Sequence, residues 1–153
     1  DTELFLNLGF AGDFWVDQIG EPLSDTWMTS YVSWTGDDPR ADINALADRY
    51  EEVYGERQDQ AYQFMGYEAI QVIAQAIENA GDPNDGAAIA QAIRDTPTDG
   101  IVSYHEFHPD YNHAFKYPIT IMQVQDGVAS WFKIQEPKSD YDYSTLVPIA
   151  QAG

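Results

Sequence analysis

The stretch that decides the fold is Ala61–Gly81, AYQFMGYEAIQVIAQAIENAG. Its polar positions Glu68, Gln71, Gln75 and Glu78 fall at helical spacing and form one narrow stripe. Nearly everything else in it is apolar, and Gly81 suits a helix stop. The spacing predicts a largely buried helix with Ile70 to Ile77 in the core. A core helix does not require the aromatic beginning, where Tyr62 and Tyr67 flank Gly66.

Working outward, "GDDPRADINALADRYEEVYG" carries the clearest boundary signals. Asp38 suits an N-cap, Pro39 the first helical position and Gly55 the stop. Ile43, Leu46, Ala47, Tyr50, Val53 and Tyr54 share one face, leaving Asp48, Arg49, Glu51 and Glu52 outward. Upstream, "ELFLNLGF" reads as a buried strand ending at Gly9, followed by a short helix from Asp13 to Ile19 that Gly20 closes. Thr26 to Trp34 is β-branched and aromatic, hence a second strand. Downstream, Asp85 starts a short helix with Ile89, Ala92 and Ile93 inward. The period then changes to strands over 101–107, 117–124 and 128–134, the last two joined by a turn at Asp126-Gly127. The residues after Gln135 read as an irregular tail. Helices and strands in this order indicate an α/β fold with a mixed sheet.

The charge excludes several functions. With 26 acidic residues against 7 basic ones, a net −19, the chain has no basic cluster for nucleic acid or anionic membranes. The scattered acids make a solvated surface suited to a salty or exposed setting. There is no cysteine, so disulfides, thiolate catalysis and zinc-thiolate sites are out. No apolar run is long enough for a membrane-spanning helix, so no direct membrane insertion is expected.

Nor does any complete catalytic motif appear: there is no G-x-S-x-G elbow, Walker loop or dinucleotide fingerprint. "GFAGDF" offers a faint anion-site cue and otherwise a strand-to-helix turn. "HEFHPDYNH" places His105, His108 and His113 beside Glu106 and Asp110, but the spacing is not H-E-x-x-H. Those histidines read as polar turn residues, with a metal site across the Pro109-Asp110 turn as the other reading. "DPNDG" lacks the glutamate that closes a calcium loop and reads as a capping turn. Two function classes survive: a metal-dependent hydrolase using the histidines, and a binding protein without chemistry. The missing nucleophile motif favours binding, with no cofactor.

Three segments resemble one family in the right order. "ALADRYEEVYGE" is similar to its helix ending Y-x-x-x-[YF]-G, and the Ala61–Gly81 stretch to its A-Y-x-x-x-x-Y-D-A-[VI] helix, with Glu68 in place of the commoner Asp. "YPITIMQVQDG" resembles the family's P-[VI]-x-[VI]-x-Q-V-x-D-G. The chain thus resembles the C-terminal portion of type I periplasmic solute-binding proteins, in the branched-chain amino-acid and amide branch of ABC importer receptors. "SYHEFHPDYNHAF" is longer and more aromatic than the family's usual turn.

The resemblance implies two Rossmann-like lobes joined by three crossings, with ligand between them and no catalysis. Residues 1–58 would be part of the distal lobe, 59–113 part of the proximal lobe, 114–135 the return strands and 136–153 a tail. It further implies that the N-terminal portion of the receptor, with its hydroxyl ligands for a carboxylate, lies outside this chain. The chain opens like the middle of a fold, so a partial chain is expected. Tyr62 matches the family's aromatic position beside the ligand. The Gly9–Asp13 loop would form the opposing wall, with Asp13 either receiving an ammonium or capping a helix. Gly66 and Tyr67 read as packing residues. The expected partners are a small-molecule ligand (an amino acid, an amide or an aromatic acid) and the importer's membrane subunits. The expected place is the periplasm or cell exterior, with a lipid anchor on the absent N-terminal portion.

Overall fold

Along Thr26–Ser30 the side chains of Thr26, Met28 and Ser30 are buried, the period-two pattern of a strand with one face on a core. In the computed structural model, which describes residues 3–107, 114–115 and 117–138, this strand (β2) lies inside a four-stranded sheet. The order is β1 (Phe5–Leu6), β2, β6 (Ile119–Gln125), β7 (Val128–Gln135). β1 runs parallel to β2 and the other pairs are antiparallel, so the sheet is mixed, as expected. Met28 sits opposite Met122 and Thr26 opposite Val124, which fixes the register by stacking buried side chains. The β6–β7 hairpin turns at Asp126 and Gly127, both with positive φ (50° and 76°), the geometry that a two-residue hairpin turn requires. A bulge opposite Ile121/Met122 leaves Phe132 as the extra residue, tilted against Trp27 at 4.6 Å between ring centroids.

A smaller sheet, β3 (Thr98–Asp99), β4 (Tyr104–Phe107) and β5 (Ala114–Phe115), is antiparallel throughout. The helices are α1 (Asp13–Ile19), α2 (Ala41–Tyr54), α3 (Ala61–Ala80) and α4 (Gly86–Asp95). The core gathers Val16, Leu23, Met28, Val32, Trp34, Ile43, Phe64, Met122 and Val124.

Several sequence expectations shift. The first strand is only two residues, because Asn7 accepts from the Gly9 amide and winds Leu8–Phe10 into a 3-10 turn. β2 ends at Ser30, whose hydroxyl bonds Val32 O at 2.6 Å and turns the chain. Asp38 does not cap α2: the cap position is Arg40, while Asp38 accepts from Ser33 N and from the Arg40 guanidinium. On α2 only Ile43 and Ala47 are fully buried, and Val53 and Tyr54 are exposed. Asp85 does cap α4, accepting from Ala88 N, which makes "DPNDG" the capping turn.

The largest departure is in α3. Glu68, assigned to the polar stripe, is 4% exposed, whereas Ile70 is 66% exposed and Ile73 is also on the surface. Within the described residues, α4 packs alongside α3, yet the helix buries fully only Ala61, Phe64, Glu68 and Ala76. Gly66 is not a packing glycine, since a Cβ there would meet open space. Tyr67 is half exposed and lines a groove with Tyr50 and Tyr54 of α2.

Candidate functional site

Three main-chain links bring the loop before α1 against the start of α3. Asp13 N donates to Asp59 O at 2.8 Å, Ala61 N donates to Ala11 O at 3.2 Å, and Gly12 pairs antiparallel with Gln60. A Cβ on Gly12 would lie 3.0 Å from Gln60 Cβ, so this approach needs glycine. The Gln60 side chain and Gln63 close a reciprocal capping box, fixing the first turn of α3 where Tyr62 sits.

Between these segments opens a cavity of about 320 Å³, at the small end of ligand-site volumes. Its backbone wall is Gly9, Ala11 and Gly12, and its side-chain wall Phe14, Trp15, Asp59, Gln60 and Tyr62. Phe14 is 61% and Tyr62 44% exposed, which for rings of this size leaves large apolar faces in water. Trp15 is held between Phe10 and Phe14, each 5.1 Å away by ring centroid. Among the described residues no Lys or Arg lines the cavity.

Of the residues singled out in the sequence, Gly9 and Tyr62 line this cavity together. Asp13 does not line it. It is the first residue of α1, the cap being Gly12, so it is not the N-cap. Its carboxylate instead accepts from the indole N–H of the buried Trp34 at 2.6 Å. Burial pushes the Asp13 carboxyl above its usual range; the Trp34 bond opposes this, and the nearby Asp17 and Asp59 carboxylates add to the rise. Sequence reasoning missed Phe14, Trp15 and Asp59. The adjacent aromatic pair in "GDFW", placed at a helix start, was the available signal.

The histidine region assembles differently from a metal centre. His105 is engaged by Glu68 at 2.5 Å through Nε2 and by Tyr117 at 3.1 Å through Nδ1. Among the described residues no group of His, Asp and Glu could hold a metal, and His108 and His113 lie outside the described residues. Among the described residues no helix is long and apolar enough to cross a membrane.

The sequence profile of a family described as "Periplasmic binding protein" matches residues 2–129. No curated protein sequence matches the chain significantly. The fold is similar to that of a leucine binding protein from Thermotoga maritima, at 24% identity and a TM-score of 0.70, over 87% of this chain and 37% of that one. It is similar also to the branched-chain amino acid transporter substrate binding protein of Streptococcus pneumoniae, solved with isoleucine, at 23% identity and a TM-score of 0.70, over 90% and 38% of the two chains. An ABC transporter substrate-binding protein from Sphaerobacter thermophilus gives 17% identity and a TM-score of 0.68, over 90% and 37%. The chain therefore spans well under half the length of these structural relatives. With most of its length matched by the family profile, the chain belongs to the periplasmic binding protein family.

Proposed function

We propose that this chain is the C-terminal portion of an extracytoplasmic solute receptor that delivers a small amino acid, amide or aromatic or carboxylic acid to an ABC importer, without catalysis. The observation that carries the reading is the main-chain tie between residues 11–13 and 59–61, which sets Tyr62 against Gly9, Phe14 and Trp15 around one cavity. Exposed rings on a backbone-fixed frame are what a ligand wall requires: large apolar faces held at little further entropic cost. Residues 1–58 then belong to the distal lobe, 59–113 to the proximal lobe and 114–135 to the return strands. The exposed Ile70 and Ile73 face is covered by the N-terminal portion of the same receptor, which also supplies the opposite lip of the cleft and any lipid anchor. Asp59 makes this wall negative, which favours a ligand with an ammonium facing it.

Native mass spectrometry of the full-length protein, purified without added solute, tests the reading by identifying a retained small molecule. Calorimetry with that molecule should show Tyr62→Ala weakening binding by about 1–3 kcal/mol, the range for a buried aromatic anchor. Unchanged affinity would remove Tyr62 from the site. Stoichiometric zinc in elemental analysis, with activity lost on chelation, would favour the hydrolase reading instead.

A further inference from the structure

Phe14 and Trp15 stand together at the start of α1 with their ring planes at 78°, so they form a corner rather than a stack. Tyr62, in the first turn of α3, lines the same cavity from the other segment. All three rings are exposed. Beside them lies one carboxylate, that of Asp59, which is exposed and among the described residues forms no ion pair. Taking this cavity as part of the solute wall, the reading given above, we propose that the wall receives a methylated ammonium, tertiary or quaternary, so that the solute is an N-methylated amine or amino acid.

The sign of the charge follows from the donors. Gly9, Ala11, Gly12, Trp15, Asp59 and Gln60 already give their amide N–H groups to acceptors within the chain. With no Lys or Arg among the described lining residues, the wall has no charged partner for a carboxylate, and Asp59 repels one. A cation is the charge that suits it, and the net −19 of the chain draws cations toward the protein.

The acceptors separate one kind of cation from another. A primary ammonium is strongly hydrated and brings three N–H groups, each of which needs a new acceptor once water is excluded. Of the lining side chains, Asp59 offers a carboxylate and Tyr62 a hydroxyl. The Gln60 side chain already accepts from the Gln63 amide in the capping box, and Phe14 and Trp15 have no acceptor. A quaternary ammonium has no N–H to satisfy and a tertiary one has a single N–H, which the carboxylate can take. Its charge is spread over methyl groups that make apolar contact with the rings, while the ring quadrupoles attract it. Each ring face is worth about two- to thirty-fold in affinity, the larger value when the contact is desolvated.

Calorimetry on the full-length protein with glycine and its N-methyl, N,N-dimethyl and N,N,N-trimethyl derivatives varies methylation alone. Affinity should rise along the series, the trimethyl compound binding about ten-fold more tightly than glycine. tert-Butylacetate keeps the shape of the trimethyl compound with carbon in place of the charged nitrogen, and it should bind about ten-fold more weakly than that compound. Phe14→Leu and Tyr62→Leu each keep an apolar side chain and remove a ring, and each should shrink the trimethyl-to-glycine ratio about three-fold. Phe14 is the more exposed of the two, so its variant carries the test even where the tyrosine variant folds poorly. An affinity that falls along the series, a neutral analogue as tight as the cation, or a ratio unchanged in Phe14→Leu would each overturn the proposal. In the first of these cases the unmethylated amino acid still binds and the receptor reading stands. Should the protein bind none of these compounds and purify without any small molecule, both fall.

Discussion

Alanine at position 100 is a severe substitution that sequence alone would rank as mild. Gly100 does not adopt a positive φ, so the backbone tolerates a side chain and the obstacle is space. The new Cβ would meet the Glu68 carboxylate, with Cδ at 2.5 Å, and the Ser103 carbonyl oxygen at 2.8 Å. That carbonyl cannot retreat cheaply, because it accepts from Gly100 N at 2.9 Å. Overpacking of this kind costs about 1–3 kcal/mol. If the carboxylate is pushed aside instead, Val102 N and Ser103 N lose their acceptor, at about 1–3 kcal/mol for each buried donor left unpaired. The structure chooses the cheaper mixture, and we expect Gly100→Ala to lower stability by about 2–3 kcal/mol. Urea denaturation of the full-length protein, followed by tryptophan fluorescence, measures it. Adding Glu68→Asp withdraws the carboxylate by about one bond length, roughly 1.5 Å. The double variant should therefore be less destabilised than the sum of the singles, by about 1–2 kcal/mol. Strict additivity, or a Gly100→Ala loss below about 1 kcal/mol, would refute the reasoning.

Three further outcomes can be checked. Asp59→Asn should weaken amino-bearing ligands in calorimetry while sparing ligands without an amine; Asp13→Asn, at a residue outside the cavity lining, should leave affinity unchanged and should not lower stability near neutral pH, since it relieves repulsion with Asp17 and Asp59 and keeps an acceptor for Trp34. Thermal midpoints should rise with sodium chloride, mostly below about 0.5 M, as screening relieves a net −19, and a flat or falling series would contradict this. In acid, Glu68 and Asp37 act together: burial raises each carboxyl, but hydrogen bonds (to Asp37 from Ser33, Trp131 N and Thr35) leave both below their ordinary values. A depressed folded pKa gives stability that is fully present above the unfolded value of about 4 and is lost as pH falls through the folded one. Glu68→Gln should therefore flatten the acid limb of a stability–pH profile, and an unchanged limb would count against the assignment.

Where local chemistry decided an element, the sequence was readable. Gly55 and Gly81 both end helices in the left-handed conformation, Asp85 caps α4, and Asp126-Gly127 makes the hairpin turn. Where tertiary partners decided, it was not. Glu68 sits at a spacing that marks a solvated stripe, and only the 100–103 turn, more than thirty residues away, explains its burial. Ile70 and Ile73 carry the pattern of a core helix, but among the described residues nothing covers them fully. The site was half legible for the same reason. Tyr62 and Gly9 were reachable through the family's pattern, whereas Phe14 and Trp15 gain meaning only when Gly12 is seen to pair with Gln60. Asp13 looked like a capping or ligand acid until Trp34, twenty-one residues on, claimed one of its oxygens.

The tie between residues 11–13 and 59–61 is made by amides and carbonyls, which are the same whatever side chains the positions carry. The frame of the cavity is thus indifferent to what decorates it, except at Gly12, where any larger residue would push the two segments apart. The exposed positions 14, 59 and 62 can change in size, polarity or charge without touching that main-chain tie. If this cavity holds the solute, as proposed, a lineage of such proteins can trade one solute for another through single substitutions, each tried on a scaffold that stays still.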